Sequence, residues 1–205
     1  MARRNDHSRQ ELQKMAIEAA IRILNEEGSG SLSTRKVAKA IGYTVGTLYL
    51  VFKNLDELIL LVNATTLDEL ESAIVAVSQD QPDPASTLKA MALAYLHYAQ
   101  DNFARWSLLF THQLPDGEPI PEWFDAKVVA VFEKVQTPLH QIRPDCDEQT
   151  CLQAAREIWS GVHGACDLGL KGKLSLGGEF KADTLLESLV ENYLIGFAYA
   201  QGDRS

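Results

Sequence analysis

Hydroxyl and cationic side chains are concentrated between residues 33 and 53 of this 205-residue chain. The stretch carries four cations and no Asp or Glu, namely Arg35, Lys36, Lys39 and Lys53. Ser, Thr and Tyr hydroxyls stand among them, and both kinds of group donate hydrogen bonds to phosphate oxygens. The pattern indicates a surface that binds a polyanion.

The net charge of the chain hides an asymmetry between its two ends. The formal charge is −9, yet residues 1–53 carry nine Lys and Arg against five Asp and Glu, a local charge of +4. The remainder therefore carries −13. Opposite local fields favour different partners, so a basic head on an acidic body predicts two binding functions.

Capping residues and apolar spacing place the cationic stretch on short helices. Ser8 and Glu11 form a capping box before a striped helix that ends at Gly28. Ser33 caps a second helix that Gly42 ends, and Thr44 caps a third helix, predicted to run from Val45 to Phe52. Asn54 opens a fourth. Two short helices joined by a glycine turn are typical of a helix-turn-helix.

Residues 33–54 resemble the helix-turn-helix signature of TetR-type transcriptional regulators, in the spacing from Ala38 through Gly42 to Gly46-Thr47-Leu48-Tyr49 and Phe52. The resemblance implies structural roles for Leu48 and Phe52. It implies contacts to DNA phosphates or bases by six residues: Thr34, Arg35, Thr44, Thr47, Tyr49 and Lys53. Three positions depart from the pattern, since Val45, Val51 and Leu55 stand where many relatives carry polar residues. These departures predict weaker phosphate anchoring or more contact with thymine methyl groups.

The rest of the chain carries helical apolar stripes and no useful β alternation. We expect helices near residues 55–78, 88–102, 123–142, 150–170 and 181–199. The predicted fold is all-α. Residues 1–54 form an N-terminal three-helix DNA-binding bundle with the helix-turn-helix, and residues 55–205 form a larger helical domain for ligand binding and dimerisation.

The last two helices carry apolar stripes that one protomer has difficulty covering alone. We therefore expect a homodimer through these helices, and TetR-type proteins are similar in pairing their last two helices as a four-helix bundle. The run Trp159-Ser160-Gly161-Val162-His163-Gly164 also resembles the subgroup with a Trp-His-Gly C-terminal domain.

Aromatic residues of the acidic body are candidates for an apolar pocket with a few polar groups. Ordinary core packing is the competing interpretation of each one, and family resemblance favours the pocket. The predicted ligand-binding residues are Tyr95, Trp106, Phe110, Trp123, Trp159 and His163.

Other chemistries have little support. Ser160 and His163 lie one helical turn apart, but no nucleophile-elbow motif surrounds them, so a hydrolase is a remote alternative. We expect no metal and no cofactor, because neither metal-ligand spacing nor phosphate-binding glycine motifs occur. The three cysteines are typical of reduced thiols, and no apolar run suits a membrane span or a secretory signal. A cytoplasmic location without membrane partners is expected.

Together these features predict a ligand-responsive transcription factor. The resemblance implies a repressor that a small-molecule effector releases from a palindromic double-stranded DNA operator. The alternative is a helical ligand-binding or protein-interaction module whose head has lost DNA binding.

Overall fold

A computed structural model describes residues 7–176, 178 and 181–199. In this part of the chain the regular structure is helical and contains no strand, which confirms the all-α prediction. The helices are α1 (Arg9–Glu27), α2 (Thr34–Ala40), α3 (Val45–Leu48), α4 (Leu55–Ser78), α5 (Pro84–Asp101), α6 (Phe103–Thr111), α7 (Glu122–Ile142), α8 (Glu148–Leu170) and α9 (Ala182–Tyr199), with a 3₁₀ turn at Ser29–Ser31.

Side-chain caps explain where several helices begin. Ser8 and Glu11 form the expected capping box of α1, and the Ser33 and Thr44 hydroxyls accept from the third backbone N–H of α2 and α3. Asn54 accepts from the N–H of Glu57 at the start of α4. Each cap satisfies a donor that a helix cannot pair internally, so these starts follow from local sequence.

The third helix is shorter than predicted. It ends at Leu48, whereas the prediction extended it to Phe52. Beyond Leu48, the N–H of Leu50 donates to Thr47 O and the N–H of Val51 donates to Leu48 O. These hydrogen bonds join residues three apart, as in a 3₁₀ turn, rather than four apart as in an α-helix. Val51 and Phe52 are adjacent in sequence and both are buried. The tightened turn directs both of these side chains into the core.

The described residues divide into two compact units, and the first combines residues 7–66 with 102–124. Its core joins α1, α2, α3 and the first half of α4. The first three helices contribute the fully buried Leu24, Val37 and Leu48. Leu108 of α6 belongs to the same cluster. A helix that begins more than 40 residues after the start of α4 thus completes the core around the helix-turn-helix.

The second unit contains residues 67–101 and the described residues between 125 and 199. Within it α5, α8 and α9 pack against one another through buried aliphatic side chains, among them Leu88, Val162 and Val190. Ion pairs join α7 to the second half of α4, from Lys127 to Asp68 and from Lys134 to Glu71.

The predicted functional boundary between residues 54 and 55 stays a prediction. Compactness groups residues by packing and does not show which of them contact DNA or ligand.

Candidate nucleic-acid interface and effector site

The turn between α2 and α3 is a Schellman motif built on Gly42. Gly42 has φ +75°, a left-handed conformation that costs a residue with a Cβ about 1–2 kcal/mol. Its N–H donates to Lys39 O, and the N–H of Tyr43 donates to Ala38 O at 2.9 Å. These bonds end α2 abruptly and direct the chain into α3.

Buried anchors hold the short α3 in place. Leu48 and Phe52 are 2% and 3% exposed, as their predicted structural roles require. Val51 is buried as well, so the side chain at this departure from the family pattern lies in the core. Val45 and Leu55 are half-buried at the starts of α3 and α4.

All six predicted DNA-contacting residues lie in the first compact unit. Thr34 and Arg35 begin α2, and Thr34 is half-buried whereas Arg35 is exposed. The Thr44 and Thr47 hydroxyls lie 3.0 Å apart at the first turn of α3. Tyr49, with 54% of its surface exposed, follows the helix directly. The structure thus brings hydroxyl groups together at the N-terminus of α3, the end that reads base edges in helix-turn-helix proteins.

Two of the four cations in the stretch are engaged in ion pairs. Lys36 Nζ lies 2.5 Å from Glu27 Oε2, and Lys53 Nζ lies 3.0 Å from Glu118 Oε1. Sequence reasoning missed Glu118, because it stands 65 positions from Lys53 and no spacing rule connects them. Arg35 and Lys39 are exposed on α2.

The predicted ligand-binding residues fall into two groups, one in each compact unit. In the first unit, Trp106 and Phe110 of α6 make an edge contact at 5.4 Å between ring centroids, and Phe103 stacks on Trp106. Trp123 is 42% exposed and contacts Phe124. Phe103, Trp106 and Phe110 form a cluster along α6, and Trp123 lies at the start of α7.

In the second unit, Tyr95 and His163 are hydrogen-bonded, with 2.9 Å between the hydroxyl oxygen and Nδ1. The Trp159 ring lies 5.4 Å from the His163 ring, and Phe132 of α7 meets the edge of Trp159. Burial lowers the pKa of His163, while the neighbouring Asp167 opposes this effect. His163 is therefore neutral at pH 7 and can accept or donate a hydrogen bond. Phe132 was missed, although Val128, Val131, Phe132 and Val135 have the spacing of a helical stripe.

The structure gives the candidate hydrolase pair other roles. The Ser160 hydroxyl donates to the Arg156 carbonyl at 2.7 Å, and His163 bonds to Tyr95. Cys146, Cys151 and Cys166 are buried free thiols. Burial raises the pKa of Cys151 and of Cys166 to about 12, so both remain protonated and poorly nucleophilic.

Two features are absent from the described part of the chain. No group of three or more His, Cys, Asp and Glu side chains there is arranged to hold a metal ion. Among the helices described, none combines the length and apolar character needed to cross a membrane.

The outward faces of α8 and α9 carry mixed polar and apolar side chains. A depression on α8 is lined by Gln149, Leu152, Gln153, Arg156, Glu157 and Ser160. On α9, Ile195 and Tyr199 are 53% and 81% exposed. Gly161 faces Leu189 of the same chain, and a Cβ there would lie 3.0 Å from the leucine side chain. This glycine allows α8 and α9 of one protomer to pack closely.

Two family models match the chain. The model for bacterial regulatory proteins of the tetR family matches residues 16–62, and the model for the tetracyclin repressor-like C-terminal domain matches residues 88–193. Together with the helix-turn-helix these matches define the class, a DNA-binding transcription regulator. The chain belongs to the tetR family. The resemblance of residues 33–54 is thereby confirmed, whereas the Trp-His-Gly subgroup stays a prediction.

Three known proteins are similar to this chain. An uncharacterised HTH-type transcriptional regulator of Mycobacterium tuberculosis is 28% identical over 162 residues, which cover 76% of this chain and 69% of that protein. A Rhodococcus protein of unknown function has the same fold, with a TM-score of 0.75, 16% identity and coverage of 95% of this chain and 98% of that one. A tetR-family regulator from Streptomyces coelicolor has a TM-score of 0.70 and 16% identity to this chain, and the match covers 95% of this chain and 84% of that one.

Proposed function

We propose that the protein is a homodimeric repressor that a small-molecule effector releases from a near-palindromic DNA operator. The observation that supports this proposal is the geometry of the helix-turn-helix. A Schellman turn and a threonine cap fix α3, and hydroxyl and cationic side chains surround it on an exposed surface. Such a surface suits DNA, because phosphate contacts position a helix whose N-terminal residues then read base edges.

The proposed DNA contacts divide by chemistry. Arg35 and Lys53 are long cations that suit phosphate oxygens, and Thr34 begins α2, where exposed N–H groups favour anions. Thr44, Thr47 and Tyr49 surround α3 and suit both phosphates and base edges. The positive charge of residues 1–53 supports this assignment, since it attracts DNA although the whole chain is acidic.

The proposed dimer uses α8 and α9. Their outward faces combine the exposed Ile195 and Tyr199 with a depression on α8, and a second copy of these helices is the proposed partner. A stable interface buries about 800 Å² on each partner, an area that two helices of 23 and 18 residues supply. Two heads then meet successive major grooves about 34–36 Å apart.

Effector contacts are proposed within each compact unit by itself, at the aromatic residues named above. Tyr95 and neutral His163 supply polar groups, while Trp159 supplies apolar surface in the second unit. Trp106, Phe110 and Trp123 are the proposed contacts in the first unit. An effector that binds one dimer conformation better than another shifts the heads from the spacing the operator requires, and coupling of about 1–3 kcal/mol is sufficient.

A non-enzymatic role and a cytoplasmic location belong to the same proposal. Ser160 is bonded to a backbone carbonyl and the Cys151 and Cys166 thiols stay protonated, which supports regulation rather than catalysis. Access to chromosomal DNA requires a cytoplasmic protein in a bacterium.

The test is fluorescence anisotropy with duplex DNA from upstream of the chain's own gene. Arg35→Ala and Tyr49→Ala should each weaken binding, whereas Lys173→Ala, which removes an exposed cation from the second unit, should not. Lys53→Ala should weaken binding to all sequences equally and reduce the salt slope by about one unit for each head. Unchanged affinity in both Arg35→Ala and Tyr49→Ala would refute the site assignment.

A helical ligand-binding or protein-interaction module with weakened or lost DNA binding is the second candidate. The apolar Val45 and Leu55 favour it, because they replace polar groups at the starts of α3 and α4. A protein that binds a small molecule tightly but shows no salt-dependent affinity for duplex DNA would support this candidate.

A further inference from the structure

The ion pair between Lys53 and Glu118 joins the proposed phosphate-binding cation to a distant loop. Lys53 Nζ donates to Glu118 Oε1 at 3.0 Å, and the two side chains are 71% and 40% exposed. Glu118 lies in residues 112–121, which join α6 to α7, and both partners belong to the first compact unit. A carboxylate thus occupies the ammonium group that a DNA phosphate would use.

Local structure holds this carboxylate near the head. The N–H of Glu118 donates to Pro115 O at 3.0 Å, and Gly117 adopts the left-handed φ of +84° that the turn requires. At the start of the loop, His112 Nε2 lies 3.5 Å from Asp56 Oδ1 in the first turn of α4. Prolines at 115, 119 and 121 restrict the backbone further. The loop therefore meets the chain at positions 53 and 56, directly beside α3.

We propose that Glu118 is an intramolecular competitor of the DNA backbone, which lowers operator affinity by occupying Lys53. The inference rests on the proposed DNA-binding function. A carboxylate and a phosphate are both anionic acceptors for the same N–H donors, and they repel each other when close. Glu118 therefore weakens the attraction of Lys53 for phosphate while the ion pair persists.

This competition gives the loop between α6 and α7 a regulatory role. Any rearrangement of α6 or α7 that moves residues 112–121 changes the fraction of Lys53 available to DNA. The effect per head is small, because an exposed ion pair changes an equilibrium about 1.4- to 5-fold. Two heads on one operator multiply it to about 2- to 25-fold.

The experiment compares Glu118→Gln with Asp116→Asn. Both substitutions remove one negative charge from the same exposed loop, but Asp116 lies two residues away from the ion pair. The probe is a labelled duplex of about 30 base pairs of mixed sequence at low salt, because phosphate contacts are independent of sequence. Each variant is also measured in the Lys53→Gln background.

Glu118→Gln should tighten binding about 2- to 25-fold for the dimer and clearly more than Asp116→Asn. In the Lys53→Gln background the difference between the two loop variants should disappear. Equal effects of the two variants, or a difference that persists without Lys53, would overturn the inference. Absence of duplex binding by the unmodified protein would instead overturn the proposed function, so the two failures are distinguishable. Glu118→Gln should unfold at nearly the same temperature as the unmodified protein, because an exposed pair adds little stability.

Discussion

Two glycines of the helix-turn-helix should respond to alanine in opposite directions. Gly42 has φ +75° in the turn after α2, whereas Gly46 lies within α3 in ordinary helical conformation. Neither position is sterically closed. A Cβ at Gly42 meets nothing within 4 Å, and one at Gly46 lies 3.8 Å from Thr44 Oγ1, an ordinary contact. Backbone conformation alone therefore determines the sign of each effect.

The magnitudes follow from that difference. Alanine at position 42 pays about 1–2 kcal/mol for the left-handed conformation, and the reduced entropy of the unfolded chain offsets about 0.4–1 kcal/mol of this cost. The net destabilisation is about 1 kcal/mol. At position 46 only the entropy gain applies, so Gly46→Ala should stabilise the protein by about 0.4–1 kcal/mol.

Thermal unfolding followed by circular dichroism measures both variants at one protein concentration. For a chain of this length, about 1 kcal/mol shifts Tm by about 2–4 °C. Gly42→Ala should unfold at a lower temperature than the unmodified protein and Gly46→Ala at a slightly higher one. Gly42→Asn is the matched control, because asparagine adopts the left-handed conformation more readily than alanine. Equal or greater stability of Gly42→Ala would refute the reasoning.

Two further predictions concern the cap of α3 and the half-buried His163. Thr44→Val should lower the free energy of unfolding by about 0.5–2 kcal/mol and weaken DNA binding, because Thr47 N loses its acceptor. Thr44→Ser should retain both the stability and the DNA affinity. Tm measures the stability and fluorescence anisotropy measures the affinity. His163 has a pKa lowered by burial, so its contribution to stability is complete above the unfolded pKa of about 6.5 and decreases as pH falls. The unmodified protein should therefore lose more Tm between about pH 7.5 and about pH 5.5 than His163→Gln does, and equal losses would contradict the assignment.

Local signals predicted most of the helices well. The helix predicted over residues 55–78 has the observed bounds of α4, and those predicted over 123–142 and 181–199 begin one residue from the observed starts of α7 and α9. The helix α6 was not predicted. Caps, prolines and apolar stripes act within a few residues, so one sequence is sufficient to locate them. The third helix was predicted too long, because its end depends on how Val51 and Phe52 enter a core built from other helices.

The candidate site was only partly predictable for the same reason. Thr44 and Tyr49 could be named because the helix-turn-helix pattern is short and continuous. The aromatic residues could be named, but their division between two compact units could not, since contacts of α6 with α1 arise from long-range packing. The apolar stripe of α7 indicated Phe132, whereas no sequence pattern indicated Glu118.

The amino-acid sequence by itself determined an all-α chain with a basic, capped helix-turn-helix at its start, because capping and periodicity are properties of neighbouring residues. Tertiary structure decided that α6 completes the core of the head and that Lys53 meets Glu118. Both depend on chain segments that are distant in sequence, and only the packing of buried side chains brings such segments together.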